Sequence, residues 1–174
     1  LDEPIYVQYF KWVGNVLQGD LGRSNATGET VSDAIKTSLP KTLSIAAVSF
    51  VIAILIAFPA GILAALKRNS VVDYGVSILA FVGVSMPSFW FAIVLILMFA
   101  VRLGWLPAVG YSPISDGIWE WFKHLILPSL AVGMGYAAIL MRFIRSGLLE
   151  VLGSDYVRTA RSKGLHVRAV ICRP

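Results

Sequence analysis

The sequence has too few charged side chains to cover a soluble domain of its size. Asp, Glu, Lys and Arg make up 14% of its 174 residues, and 57% are hydrophobic, whereas an ordinary soluble domain carries about 25% charged residues. The net charge of +5 comes from basic residues beside apolar runs, with few aromatic residues among them. That arrangement argues against a nucleic-acid-binding protein. The composition therefore predicts an integral membrane protein.

Residues that bind metals or catalyse reactions are also scarce. Cys172 is the single cysteine, so no internal disulfide can form, and His124 and His166 lie far apart without a partner pattern of cysteines. The sequence contains no H-E-x-x-H motif, no G-x-x-x-x-G-K-[ST] phosphate loop and no evident nucleophile–base pair. We therefore predict no catalytic residue, no metal site and no cofactor on this chain.

Long apolar runs fill most of the remaining sequence. Runs free of Asp, Glu, Lys, Arg and His cover residues 42–66, 75–101 and 125–141, and the last extends past Arg142 to about 144. A membrane-spanning helix needs about 20 apolar residues. We predict an all-α integral membrane fold: a lead-in over residues 1–41 and a transmembrane core over 42–174, with spans at 42–66, 75–101 and 125–144.

The distribution of Lys and Arg predicts the orientation of these spans. Lys67 and Arg68 lie between the first two runs, and basic residues dominate after the third, whereas the segment 102–124 is balanced in charge. Lys and Arg favour the cytoplasmic side. The lead-in is therefore extracytoplasmic and the C-terminal segment cytoplasmic. Because the sequence opens without a signal sequence, we expect a further spanning helix upstream.

The lead-in has helical signals of its own. Apolar residues from Tyr6 to Leu17 recur with the spacing of one helix face, which predicts an amphipathic helix. Thr30 and Asp33 resemble a capping box for a short second helix, and Pro40 suits the first turn of the first span.

Small residues recur every four positions within the spans. In the first span they predict a stripe for close helix packing, and the third span repeats the pattern. The residues assigned to packing are Ala53, Ala57, Gly61, Ala65, Gly133 and Gly135.

Each span also contains a proline, which removes a helical hydrogen bond and can bend the helix. Hydroxyl groups flank the proline of the second span, so its bend has local donors. These bends are candidate walls of a transport pathway, with a simple structural bend as the alternative. The residues are Pro59, Ser85, Pro87, Ser88 and Pro128.

A short basic helix is predicted after the third span. Ser154 is a suitable N-cap, and Gly164 suits the left-handed position that ends a helix. A free helix this short is marginal in water, so it must dock on protein or on anionic lipid. The residues assigned to docking are Tyr156, Val157, Arg158, Thr159, Ala160, Arg161, Lys163 and Gly164.

This segment resembles the cytoplasmic loop of bacterial ABC importer permeases of the dipeptide, oligopeptide and nickel family. Arg158, Thr159 and Ala160 stand at the family's Glu-Ala-Ala triplet, with the Glu and the first Ala replaced, and Gly164 stands at the glycine that follows. Further stretches resemble the family in the same order along the chain, namely 19–24, 39–43, 85–90 and 103–107.

The resemblance implies a permease subunit with a six-helix core in the bacterial inner membrane, truncated here at both ends. It implies a coupling loop at 147–170 that docks on cytoplasmic ATPases. Its expected partners are a second permease subunit, two ATPase subunits that hold ATP and Mg, and an extracytoplasmic substrate-binding protein. The substrate would be a peptide or nickel. A membrane scaffold without a transport path remains the alternative.

Overall fold

The computed structural model describes residues 4–162, which are almost entirely helical. The α-helices of this part are α1 Ile5–Leu17, α2 Val31–Leu66, α3 Val71–Ser85, α4 Ser88–Leu95, α5 Ile118–Gly153 and α6 Asp155–Ser162. A π-helical segment, Ile96–Arg102, continues α4, and a 3₁₀ turn, Ile114–Asp116, precedes α5. The chain divides into two compact units, Leu1–Ser44 and Ile45–Pro174.

The first unit contains the predicted amphipathic helix and the cap of α2. Helix α1 buries none of its residues, and the Tyr9 ring contacts the Phe10 ring at a centroid distance of 5.8 Å. At the start of α2, the Thr30 hydroxyl accepts a hydrogen bond from the Asp33 amide and donates one to the Asp33 carboxylate at 2.6 Å. The Thr30–Asp33 pair therefore caps the helix.

The prediction of a short helix followed by a separate span is wrong, because both lie in the single helix α2. It runs without interruption for 36 residues, from Val31 to Leu66, and Pro40 lies in its interior instead of in a first turn. Proline has a φ angle compatible with a helix and removes only one backbone donor. Helix α2 continues through Pro40.

The predicted span 75–101 is not a single helix. Helix α3 and the segment Ser88–Arg102 are bent relative to each other by 102°, and the break lies at Met86 and Pro87. Pro87 disfavours the helical conformation of the residue before it, and Met86 is extended, with φ −79° and ψ 126°. The bend predicted at Pro87 is therefore a full break between two helices.

Two of the helices are each long and apolar enough to cross a membrane, namely Val31–Leu66 and Ile118–Gly153. The bent pair makes a third span if its two arms cross together. Helix α5 contains the predicted span 125–144, extends beyond both of its ends and continues through Pro128.

Small side chains form the core of the second unit. One buried cluster joins α2, α3 and α5 through Ala57, Ala80, Ala138 and Met141. A second cluster joins α4 and α5 around Leu95, Leu127 and Ala131. Alanine allows the helix backbones to approach closely, which is the main source of helix association in lipid.

Candidate functional site

Helix α6 follows α5 after a single residue. Val157 of α6 is buried, with 1% of its surface exposed, and Asp155, Thr159 and Ser162 are exposed. Helix α6 contacts α5. The backbone of Tyr156, Arg158, Ala160 and Arg161 lies in α6, whereas Lys163 and Gly164 lie outside the described residues.

Ser154, the predicted N-cap of α6, lies in the turn between α5 and α6. Its hydroxyl donates to the Val151 carbonyl at 2.6 Å, and its amide donates to the same carbonyl at 3.2 Å. Ser154 therefore satisfies a carbonyl at the end of α5. Its role as the N-cap of α6 stays a prediction.

A partly buried ion pair joins the start of α3 to α5. Asp73 accepts two hydrogen bonds from Arg145, from Nε at 2.6 Å and from an Nη at 2.8 Å. The Asp73 side chain is 3% exposed and that of Arg145 is 30% exposed. The Asn69 amide also donates to the Asp73 carboxylate at 3.0 Å, and the Ser70 hydroxyl caps α3 by accepting from the Asp73 amide. Such bidentate charge-assisted contacts are strong and directional.

Helix α2 packs closely on the same part of α5 as this ion pair. A Cβ atom at Gly61 would lie 2.9 Å from the Met141 carbonyl oxygen and 2.9 Å from Ile144 Cγ2. Ile144 adjoins Arg145, so α2, α3 and α5 meet within one turn of α5. We call Gly61, Asp73, Met141, Ile144 and Arg145 the three-helix junction.

A second close approach lies further along the same two helices. A Cβ atom at Gly133 would lie 2.9 Å from the Ser49 carbonyl oxygen, and the Ser129 hydroxyl donates to the Ile45 carbonyl at 3.5 Å. The residues of α2 that are buried are Ser49, Ala53, Ala57, Gly61, Ala64 and Ala65. This set contains the predicted stripe, which runs from Ser49 to Ala65 at every fourth position, and adds Ala64.

Gly135 does not belong to this packing surface. No atom of the described residues, outside its own helix, lies within 4 Å of where its Cβ would stand, and Gly135 lines an open cavity. The prediction grouped Gly135 with Gly133 from the small-residue pattern alone. Two residues along a helix are a rotation of about 200° apart, so the two glycines occupy different faces.

The cavity beside Gly135 is the apolar space enclosed by α2, α3, α4 and α5, with a volume of about 370 Å³. Ile56 and Ala60 line it from α2, Met86 and Phe91 from the bent pair, and Met141 from α5. It adjoins the break in the bent pair, so a change in the bend would change its shape.

The residues assigned to a pathway are divided between different surfaces. Ser88 lines the apolar cavity. Ser85 and Pro87 line a shallower depression on the other side of the break, together with Phe89 and Trp90. Neither space is lined by Pro59 or Pro128, which lie within α2 and α5. The structure therefore does not bring the five predicted residues together.

The ion pair is the feature that sequence reasoning missed. From the sequence, no role is assigned to either Asp73 or Arg145. A signal was present, because Asp73 stands three residues after the capping serine at the start of an apolar helix. Its partner lies 72 positions away, and no local pattern identifies Arg145 among the neighbouring arginines.

The chain matches one protein family and is similar to several known proteins. Residues 57–173 match the family described as "Binding-protein-dependent transport system inner membrane component". The chain is 41% identical over 174 residues to the oligopeptide transport system permease protein AppB of Bacillus subtilis, covering 98% of this chain and 55% of AppB.

Two further relatives have similar names. A putative peptide transport system permease protein of Brucella suis is 44% identical over 171 residues, covering 98% of this chain and 54% of the relative. The di/tripeptide transport system permease protein DppB of Pseudomonas aeruginosa is 39% identical over 191 residues, covering 98% and 57% respectively. The chain thus spans about half the length of the curated relatives it matches.

Proposed function

This chain belongs to the family of binding-protein-dependent transport system inner membrane components, and from that membership we propose that it forms part of the permease subunit of an ATP-driven peptide importer. The relatives named above are peptide, oligopeptide or di/tripeptide permeases, which favours a peptide over nickel as the substrate. The multi-pass inner-membrane location of the family agrees with the long apolar helices.

The observation that carries the proposal is the position of α6. It lies inside the stretch that matches the family, directly after the long helix α5, and it is held there by the buried side chain of Val157. A helix of eight residues is not stable alone in water. The burial of Val157 stabilises α6 in its position. Its exposed side remains available for a second protein.

We propose that this exposed side docks on a cytoplasmic ATPase subunit. ATP and Mg bind to that separate chain and no cofactor binds to this one. Two such ATPases, a second permease subunit and an extracytoplasmic substrate-binding protein complete the transporter. In this arrangement the lead-in is extracytoplasmic and α6 is cytoplasmic, which is the orientation that the distribution of Lys and Arg favours.

In the proposed mechanism, the displacement of one helix moves the next helix along the chain. Closure of the ATPases on ATP displaces α6, and α5 moves with it because a single residue separates the two helices. Helix α5 lines the apolar cavity together with the bent pair, so its displacement changes the access to that cavity. The bend at Met86 and Pro87 is the place where this wall changes direction.

Substitutions in the docking segment of the full-length permease test the proposal. Ala160→Trp or Gly164→Val should reduce both co-purification of the ATPase subunit and peptide uptake, while the permease remains in the membrane. The matched set removes charge instead, with Arg158→Gln, Arg161→Gln and Lys163→Gln, and should have the smaller effect.

The opposite ranking would identify the segment as a basic anchor on anionic lipid. It would favour the alternative of a membrane scaffold without a transport path. Loss of the permease from the membrane in the Ala160→Trp and Gly164→Val variants would likewise contradict a specific docking role.

A further inference from the structure

The ion pair between Asp73 and Arg145 holds the first turn of α3 against α5, while Ala80 and Gly83 pack further along the same helix. Of the residues in α3, Asp73 and Ala80 are buried, and most of the others are exposed. The Arg145 guanidinium makes both of its contacts to the Asp73 carboxylate, at 2.6 Å and 2.8 Å. The Asn69 amide fixes the same carboxylate from the preceding loop. The first turn of α3 is therefore tied to α5 through this pair.

The pair also lies between α6 and the break in the bent pair. Arg145 stands about two turns before the end of α5, after which a single residue leads into α6. At its other end, α3 stops at Ser85, where the chain turns by 102° into α4. A displacement of α6 that moves α5 therefore reaches α3 at its first turn through Asp73, and also through the packing of Gly83 near the break.

We propose that Asp73 and Arg145 are positioning residues that transmit the displacement of α6 to the bent pair. The inference rests on the proposed function, because it assumes that α6 is the element that an ATPase moves. The pair would then set how much transport each ATP hydrolysis produces, without itself touching the ATPase or the substrate.

An ion pair serves this purpose differently from apolar packing. Packed apolar side chains can slide and rotate against one another, whereas the planar guanidinium and carboxylate keep a fixed relative direction. Replacing a buried ion pair by apolar residues of similar volume often preserves stability. Stability and coupling can therefore be separated by the choice of substitution.

The experiment uses the full-length permease assembled with its partner subunits in proteoliposomes, with radiolabelled tri-alanine as the probe. The measured quantity is peptide uptake per ATP hydrolysed, alongside ATPase co-purification and thermal stability. Asp73→Asn should lower uptake per ATP by about tenfold, which lies within the usual range of coupling between sites. Arg145→Lys keeps the positive charge but not the two parallel hydrogen bonds of the guanidinium. It should give an intermediate uptake per ATP.

Two double variants separate coupling from folding. The apolar pair Asp73→Leu with Arg145→Met should restore stability and assembly but leave uptake per ATP low. The swapped pair Asp73→Arg with Arg145→Asp should recover part of the uptake per ATP that Asp73→Asn loses. The matched control is Glu120→Gln, which breaks the exposed pair with Lys123 at the opposite end of α5 and should change nothing.

The results distinguish this inference from the function on which it rests. If the apolar pair restores uptake per ATP together with stability, or if Asp73→Asn leaves uptake per ATP unchanged, the ion pair is only structural and the inference is wrong. If the unaltered permease neither retains an ATPase subunit nor supports ATP-dependent uptake, the proposed function itself fails, and the inference fails with it.

Discussion

Two glycine residues of α5, on different faces of the helix, differ in what surrounds them. Gly133 lies against the backbone of α2, with the Ser49 carbonyl oxygen 2.9 Å from the position of a Cβ atom. Gly135 has open space at the same position and borders the apolar cavity. Both lie within the same helix, so the two residues share a helix propensity and differ only in tertiary contacts.

This difference predicts opposite effects of one substitution. Gly133→Ala should lower the stability of the full-length permease in detergent, because overpacking costs about 1–3 kcal/mol and outweighs the gain of up to about 1 kcal/mol in helix propensity. Gly135→Ala, as the matched control, should be neutral or stabilising by up to about 1 kcal/mol. Thermal unfolding in detergent measures both. Equal shifts for the two variants would show that Gly133 is not a close contact.

The bent pair is the feature that separates this fold from a bundle of straight spans. Its arms, α3 and the segment Ser88–Arg102, meet at Met86 and Pro87 and turn by 102°. Leu95 at the end of α4 is buried against α5 in the second core cluster, so packing as well as Pro87 holds the second arm in place.

A distance measurement tests the bend. Spin labels at Val72→Cys and Val101→Cys, in a background with Cys172→Ser, should lie about 26 Å apart for arms that turn by 102°, against about 43 Å for one straight helix. Both positions are exposed. Pulsed electron paramagnetic resonance on the full-length permease gives the distance.

Helix α5 provides the control for this measurement. Labels at Trp119→Cys and Phe143→Cys lie on a single helix that continues through Pro128 and should be about 36 Å apart. A distance near 43 Å for the first pair, with the control as expected, would contradict the break.

At the scale of the whole molecule, the loops of the second unit differ in charge. The turn between α2 and α3 contains Lys67 and Arg68, whereas the segment from Arg102 to His124 is balanced. Val109 in that segment is 85% exposed. The distribution of Lys and Arg predicts that the first turn is cytoplasmic and that the second segment lies outside.

Thiol labelling of intact cells checks this orientation. In a full-length permease with Cys172→Ser, Val109→Cys should react with a membrane-impermeant maleimide. Lys67→Cys should react only after the cells are opened. The two variants serve as controls for each other, and the reverse pattern would overturn the orientation.

Much of this molecule follows from local sequence patterns. Apolar runs too long and too poor in charge for a soluble protein determine that the chain is helical and spans a membrane, because only helices satisfy their backbone groups within such runs. The spacing of small residues found the face of α2 that packs on α5, from Ser49 to Ala65. The sequence also predicts the short helix after the third span, because Ser154, a residue suited to an N-cap, stands directly before it.

The tertiary structure decided the features that depend on distant residues. Pro40 and Pro87 are both prolines in helical sequence, yet α2 continues through the first and the chain breaks at the second. Gly133 and Gly135 are indistinguishable as small residues until α2 is placed against one of them. The pairing of Asp73 with Arg145 depends on the packing of α3 along α5, since local spacing carries no information about a partner 72 residues away.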